Sequence, residues 1–400
     1  MKKANTILAI ILTTVMVGCG GGNKQSTDDF ITVDVTKRYP KKELILQDIM
    51  DVEYIALETN DDFLTQGRVL TISKNFIVVK NRIDDGDIFF FNRTTGKSLK
   101  KINRKGEGPE EYFNVQEIVL DEDMDEMYVH NAAISGRILV YNLDGKFKRS
   151  IVIKQGFSFW YFHNFDRENL ICYDYAMSLE TSKNMHKHPL VLISKQDGSI
   201  TKEIQLIYEK LINTTMNIKI GDMGLWLDIQ YYPLICYFDD WALSLASSDT
   251  IYRYQPDHTM TPLIVRTPSI QSMQPEMFLF PRILTDRYYF METVKKDYDP
   301  VAKQMPSTDL LYDRQKNALF EYEVYNIDYA EKKRISFSPL NTTLGPRPLN
   351  DEIVSWEILE AYQLVEDYEK GELKDGKLKE IASKLDKEDN PVIMLVKHRK

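Results

Sequence analysis

The chain of 400 residues is 43% hydrophobic and 28% charged, too apolar for a disordered chain and long enough for a sizeable core. Its net charge of −9 and pI near 5.4 give no basic excess, so no nucleic-acid partner is expected. Aromatic residues reach 11%, with 23 Tyr and 18 Phe, which favours strands over helices.

The first residues read as an address. Lys2 and Lys3 precede an apolar run over residues 7–17, too short to cross a bilayer as a helix. The run closes on Met16-Val17-Gly18-Cys19. It resembles a bacterial lipoprotein signal, in which residues 1–18 are removed and Cys19 becomes the lipidated first residue. Residues 19–29, rich in Gly, Ser and Asp, read as a flexible tether. Acyl chains on Cys19 would hold the protein on a membrane of the cell envelope. The outer membrane is the expected one, with its periplasmic and surface faces both open. Cys172 and Cys236 show no metal-ligand spacing. They read as core thiols or, in an oxidising compartment, as one disulfide.

Strand patterns then follow one another. Residues 30–35 and 52–59 alternate, and 69–80 read as a hairpin turning at Ser73-Lys74-Asn75. Segments 88–92 and 99–102 flank Thr94-Thr95-Gly96-Lys97, and 115–120 and 127–130 flank an acidic turn over 121–126. Segments 138–141 and 147–153 flank Asn142-Leu143-Asp144-Gly145. The stretch FFFNRTTGK at residue 89 is echoed by LVYNLDGK at residue 139, an offset of about fifty residues, the size of a propeller blade. Further copies lie at 190–204, 250–265 and 309–325, each a strand, a polar turn and a strand, as in the outer hairpin of a four-stranded blade. Inner hairpins fall between them, at 170–175, 235–245 and 283–294. The spacing predicts an all-β fold, one six-bladed β-propeller over residues 30–400. Near the end, Ile353, Trp356, Leu359 and Leu364 recur at helical spacing, as do Leu378, Ile381 and Leu385. Two short helices are therefore expected in the last blade, over 351–368 and 377–387. A final strand at 392–397 should close the ring against an N-terminal strand.

Gly106-Glu107-Gly108-Pro109-Glu110-Glu111-Tyr112 resembles the G-x-G-P-x-E-Y loop of NHL-type propellers. With the lipobox, Tyr54-Ile55-Ala56-Leu57-Glu58-Thr59 and Asp389-Asn390-Pro391-Val392, it makes the chain similar to the six-bladed propeller lipoproteins abundant in Gram-negative gut anaerobes. The resemblance implies a propeller on a lipid anchor and no particular substrate. Gly106 and Gly108 are expected at positive φ, with Pro109 fixing the exit and Tyr112 completing a structural loop. No helix follows, so the loop is not a phosphate cradle.

Chemistry is sparse. The acidic turn lacks the Gly and final Glu of a calcium loop, since Glu126 and Ala132 stand there. His186 and His188 sit in a loop-like setting, and no metal site or cofactor is expected. His130 and His163 end strands, where either could face the channel. There is no G-x-S-x-G among a chain with six His, and no catalytic residue is nominated. The ligand-binding candidates are Arg68, Arg104, Arg137 and Arg282, which precede or enter inner strands, and Trp160 and Trp226 near blade beginnings. In NHL-type propellers charged residues at such places rim the channel. The expected role is a membrane-anchored binding module for a glycan, a peptide or a partner protein. The alternative is a metal-dependent hydrolase or lyase with its site in the central channel.

Overall fold

Short apolar runs bounded by glycine and polar turns fold as antiparallel meanders. The computed structural model describes residues 30–81, 85–131, 137–153, 159–174, 188–220, 223–337, 350 and 352–399. The signal, Cys19, the tether, His186 and the side chain of Trp160 lie outside the described residues.

The N-terminal segment supplies β1 (Ile31–Asp34), β2 (Lys41–Ile45), the one-turn helix α1 (Leu46–Ile49) and β3 (Asp51–Ala56). Blade 1 follows as β4 (Arg68–Ile72), β5 (Phe76–Lys80), β6 (Asp87–Asn92) and β7 (Ser98–Asn103). Blade 2 is β8 (Val115–Asp121), β9 (Glu126–Asn131), β10 (Arg137–Tyr141) and β11 (Phe147–Val152). Blade 3 is β12 (Phe159–Asn164), β13 (Asn169–Asp174), β14 (Leu190–Ser194) and β15 (Ile200–Ile204). A separate hairpin, β16 (Thr215–Ile220) and β17 (Met223–Asp228), precedes blade 4. That blade is β18 (Leu234–Tyr237), β19 (Asp240–Leu243), β20 (Thr250–Tyr254) and β21 (Met260–Thr267). Blade 5 is β22 (Met277–Leu284), β23 (Tyr288–Lys295), β24 (Ser307–Asp313) and β25 (Ala318–Asn326), with β26 (Lys333–Ile335) paired to β25. Blade 6 contains β27 (Ile353–Leu359), β28 (Val392–Lys397) and β3, with α2 (Ala361–Glu369) and α3 (Lys377–Ala382) between its first two strands. First strands approach one another around the axis, β4 with β8, β8 with β12 and β18 with β22. The six-bladed propeller is the fold expected from the repeats.

The ring closes as expected. The last strand, β28, pairs antiparallel with β3, placing Val392 opposite Ala56 and Lys397 opposite Asp51. The N-terminal segment does more than that. Before reaching blade 6 it lays β1 parallel to β21 and β2 parallel to β25, so the outer edges of blades 4 and 5 are covered by the chain's own start.

Turn glycines set the contact between blades. Gly96, Gly145 and Gly198 take φ of 68°, 80° and 75°. A Cβ on each would strike the outermost strand of the preceding blade: Ala56 O at 1.9 Å, Ile102 Cγ2 at 2.6 Å and Ile151 Cγ2 at 2.7 Å. The same turn chemistry that closes a hairpin therefore lets one blade seat on the next.

One expectation fails in part. Residues 353–359 form β27, and the helix begins only at Ala361. Ile353, Val354, Ser355 and Trp356 are buried in succession because both faces of a blade strand are covered, so apolar residues three apart say nothing of a helix there. Leu364 of α2 and Leu378 and Ala382 of α3 pack into one core with Tyr54 and Tyr329. Cys172 is buried, Cys236 is half-buried, and both are free thiols. Among the described residues no helix is long and apolar enough to cross a membrane.

Candidate functional site

The loop after β7 is held from several sides. Tyr112 is fully buried, and its hydroxyl donates to Gly86 O at 2.7 Å while accepting the Arg104 N–H at 2.9 Å. Neither Gly106 nor Gly108 has positive φ. Their value is room: a Cβ on Gly106 would lie 1.8 Å from Oε2 of Glu111, the atom that accepts the Gly108 N–H at 2.9 Å. The Arg104 Nε donates to Gly145 O at 2.9 Å, and the Arg137 guanidinium donates to Pro109 O and, at 3.2 Å, to Ser150 Oγ. Arg104 follows the outermost strand β7 and Arg137 opens β10, the third strand of its blade, so neither sits on an inner strand. The structure brings these two together as braces of the loop between blades 1 and 2. Arg68 opens the inner strand β4, partly buried opposite Lys80.

At one end of the central channel, the ends of β4, β8, β12 and β18 surround a cavity of about 1030 Å³. His163 lies on its wall, 5.2 Å from Trp241 between ring centroids, and Phe238 stacks on His398 at 4.6 Å. Most nearby carboxylates are engaged: Asp121 with Lys195 at 2.7 Å, and Asp240 with Arg253. Glu126, in the acidic turn, binds Arg149, Lys148 and the Tyr128 hydroxyl. Half-buried His130 does not reach this mouth; desolvation of its ring pushes its imidazole down to about 4. Among the described residues no group of three or more His, Cys, Asp or Glu side chains is placed to hold a metal.

A second cavity, of about 720 Å³, opens on blade 5. Arg282 occupies a bulge in β22, where the register against β23 slips. Its Nε and Nη2 donate to Glu292 Oε2 at 2.9 and 2.5 Å, and both side chains are only 1% exposed. Among the described residues the Arg282 Nη1 has no partner. On the neighbouring strand Asp309 stands directly opposite Glu292, and both line the cavity. Antiparallel neighbours share a face, so the two carboxyl groups converge. Arg334 of β26 reaches Asp309 at 3.4 Å and Glu323 at 3.5 Å. Burial, and then the charge of Glu292, push the Asp309 carboxyl up to about 6. Leu227 and Asp228 of β17 also line it, with Tyr298 and Met305. Trp226, beside them, is 71% exposed. Of the residues nominated from sequence, Arg282 and Trp226 thus flank one cavity. Glu292, Asp309 and Arg334 were not nominated, although Glu292 interrupts the apolar run YYFMETV, the one signal that could have found it.

No curated protein matches the chain in sequence. In structure it is similar to a candidate exported protein of Bacteroides fragilis, at 17% identity and a TM-score of 0.58, over 90% of this chain and 99% of that one. It is also similar to a member of the DUF4221 family from Bacteroides vulgatus, at 10% identity and a TM-score of 0.42, over 71% of this chain and 92% of that one. The profile described as "Domain of unknown function (DUF4934)" matches residues 30–397, and the chain belongs to that family.

Proposed function

We propose that the protein is an extracytoplasmic binding module, tethered to the outer membrane through a lipid on Cys19, that takes its ligand in the blade 5 cavity. The observation that carries the reading is the Glu292–Asp309 pair on one cavity wall, with Arg282 buried behind it. Desolvating an ion pair costs several kcal/mol, and apolar residues of similar volume would serve the fold as well or better. A charged constellation of this kind, next to an open cavity of ordinary ligand size, is the usual mark of a site that must recognise something polar. The anchor rests on the lipobox resemblance, and the likeness to a candidate exported protein supports export alone.

Two measurements test the parts separately. Cys19→Ser should move the protein from the membrane to the soluble fraction and abolish incorporation of labelled palmitate; retention on the membrane would refute the anchor. Full-length protein probed against immobilised glycans, peptides and membrane extracts should lose its interactions on Asp309→Asn, and interactions indifferent to that change would remove the cavity from the reading.

A further inference from the structure

We infer that the propeller stands on its lipid anchor with the face of its short turns toward the bilayer, so that the opposite face, where the blade 5 cavity opens, meets what arrives from the aqueous phase. The inference rests on the Cys19 anchor proposed above and says from which side the ligand of that cavity comes.

The first argument is topology. In a four-stranded antiparallel meander the first and third turns lie at one face of the ring, and the second turn and the link to the next blade lie at the other. The first and third turns are short: 73–75 and 93–97 in blade 1, 122–125 and 142–146 in blade 2, 238–239 and 255–259 in blade 4. The cavity at the channel mouth belongs to this face, since Ser73, Glu122 and Asp239 of the first turns line it. The blade 5 cavity belongs to the other. Tyr298, Lys303 and Met305 come from the second turn of that blade, and Leu227 and Asp228 from the hairpin that leads into blade 4.

The second argument is the direction of β1. Its neighbour β21 leaves the third turn of blade 4, at the short-turn face, and runs toward the other face. β1 is parallel to it, with Ile31 opposite Ile264 and Asp34 opposite Thr267. The chain therefore enters β1 from the short-turn side, along the outer edge of blade 4. Val33 and Val35 are buried there and hold the entry in place. Between Cys19 and Ile31 a flexible chain coils over about 20 Å and reaches about 40 Å at full stretch. To bring the far face down onto lipid, that chain would have to reverse before Ile31 and run back beside β1, past a blade about 20 Å tall. The third argument is the build of the far face. The longer connections 57–67, 104–114, 205–214 and 296–306 all lie there. Long loops on a rigid ring are where binding residues gather, and this anchor leaves them open to the compartment.

The test uses the lipidated full-length chain carrying Cys236→Ser, in vesicles of phosphatidylethanolamine and phosphatidylglycerol with an energy-transfer acceptor on some headgroups. A donor is attached through Gln196→Cys, in a short turn, or through Val301→Cys, at the far face. Both positions are exposed, so neither change threatens the fold, and buried Cys172 does not compete for the label. The two faces lie about 20 Å apart, and transfer should be about twofold stronger from position 196 than from position 301. Equal transfer in protein that floats with the vesicles overturns the orientation and leaves the anchor standing. Stronger transfer from position 301 also overturns it, and would seat Phe113, Ile207 and Val301, each more than half exposed, against the lipid instead. Lengthening the tether after Ser26 by about thirty Gly and Ser residues should level the two signals. A difference that survives the longer tether would overturn the part played by β1. Protein that does not float with the vesicles refutes the Cys19 anchor, and the inference falls with it.

Discussion

The side chain of Asn390 holds the backbone of Thr65 across the closure of the ring. Its Oδ1 accepts the Thr65 N–H at 2.8 Å, while Nδ2 donates to the carbonyls of Glu58 and Phe63 at 2.8 and 2.5 Å. The residue is fully buried. One amide, used as donor and as acceptor, thereby pins the link between β3 and β4 to the start of β28.

Asn390→Ala removes three hydrogen bonds and leaves a buried N–H without a partner. The expected loss is about 3 kcal/mol, read as a lower midpoint in thermal unfolding. Asn390→Asp should be at least as damaging, because an ionised carboxylate cannot donate to two carbonyls. Deleting residues 391–400 takes out β28 from between β27 and β3 and should give no soluble folded protein. A truncated chain melting like the intact one would refute closure through this strand.

Acid should weaken the fold in two separate windows. Burial lowers His130 to about 4 from an ordinary 6.5, so the unfolded chain takes up this proton first. Stability from neutral His130 is complete above pH 6.5 and declines as the pH falls toward 4, by about 3 kcal/mol at most. Burial alone would raise Glu126, but Arg149, Lys148 and Tyr128 outweigh it and hold the carboxyl at about 2 against an ordinary 4.5. Its contribution is complete above pH 4.5 and fades toward pH 2, again by about 3 kcal/mol. Unfolding midpoints measured from pH 8 to 2 should therefore flatten between 6.5 and 4 in His130→Phe, and between 4.5 and 2 in Glu126→Gln. Parallel curves for wild type and variants would show that neither group is linked to folding.

The two windows differ in how far the sequence foretold them. The hairpin repeats were legible because each carries its own turn chemistry, and Gly96 and Gly145 stand at matching places in it. Closure by β28 was legible because a ring needs it. The paths of β1 and β2 were not: alternation marks a strand but not its neighbour, and both pair with strands more than two hundred residues away. The blade 5 cavity was illegible for the same reason. Glu292 and Asp309 meet only through a register across β23 and β24, and Arg334 arrives from a short strand beyond the blade. Glu126 was read only as part of an acidic turn, yet it is buried, because Arg149 comes back to it from β11. His130 was placed at a strand end correctly, but which face it turned inward depended on a neighbouring blade that supplies Phe162.

The sharpest contrast for mutagenesis lies between Gly96, in the last turn of blade 1, and Gly106, in the loop that leaves that blade. A Cβ on Gly96 would lie 1.9 Å from Ala56 O and 2.9 Å from Ala56 C, both backbone atoms of a strand held in the closure, and φ there is +68°. Nothing at that contact can swing aside, and the Glu58 N–H that donates to Gly96 O at 2.9 Å would be displaced with it. Gly96→Ala should cost about 3 kcal/mol or more. A Cβ on Gly106 comes still closer to a neighbour, 1.8 Å, but that neighbour is the free end of the Glu111 side chain. The carboxylate can rotate away, leaving the Gly108 N–H to water, so Gly106→Ala should cost about 1 kcal/mol. Denaturant titration of the two variants checks the order. Equal losses would mean that the loop after β7 is as rigid as the blade seam, and that Glu111 is fixed by more than its bond to Gly108.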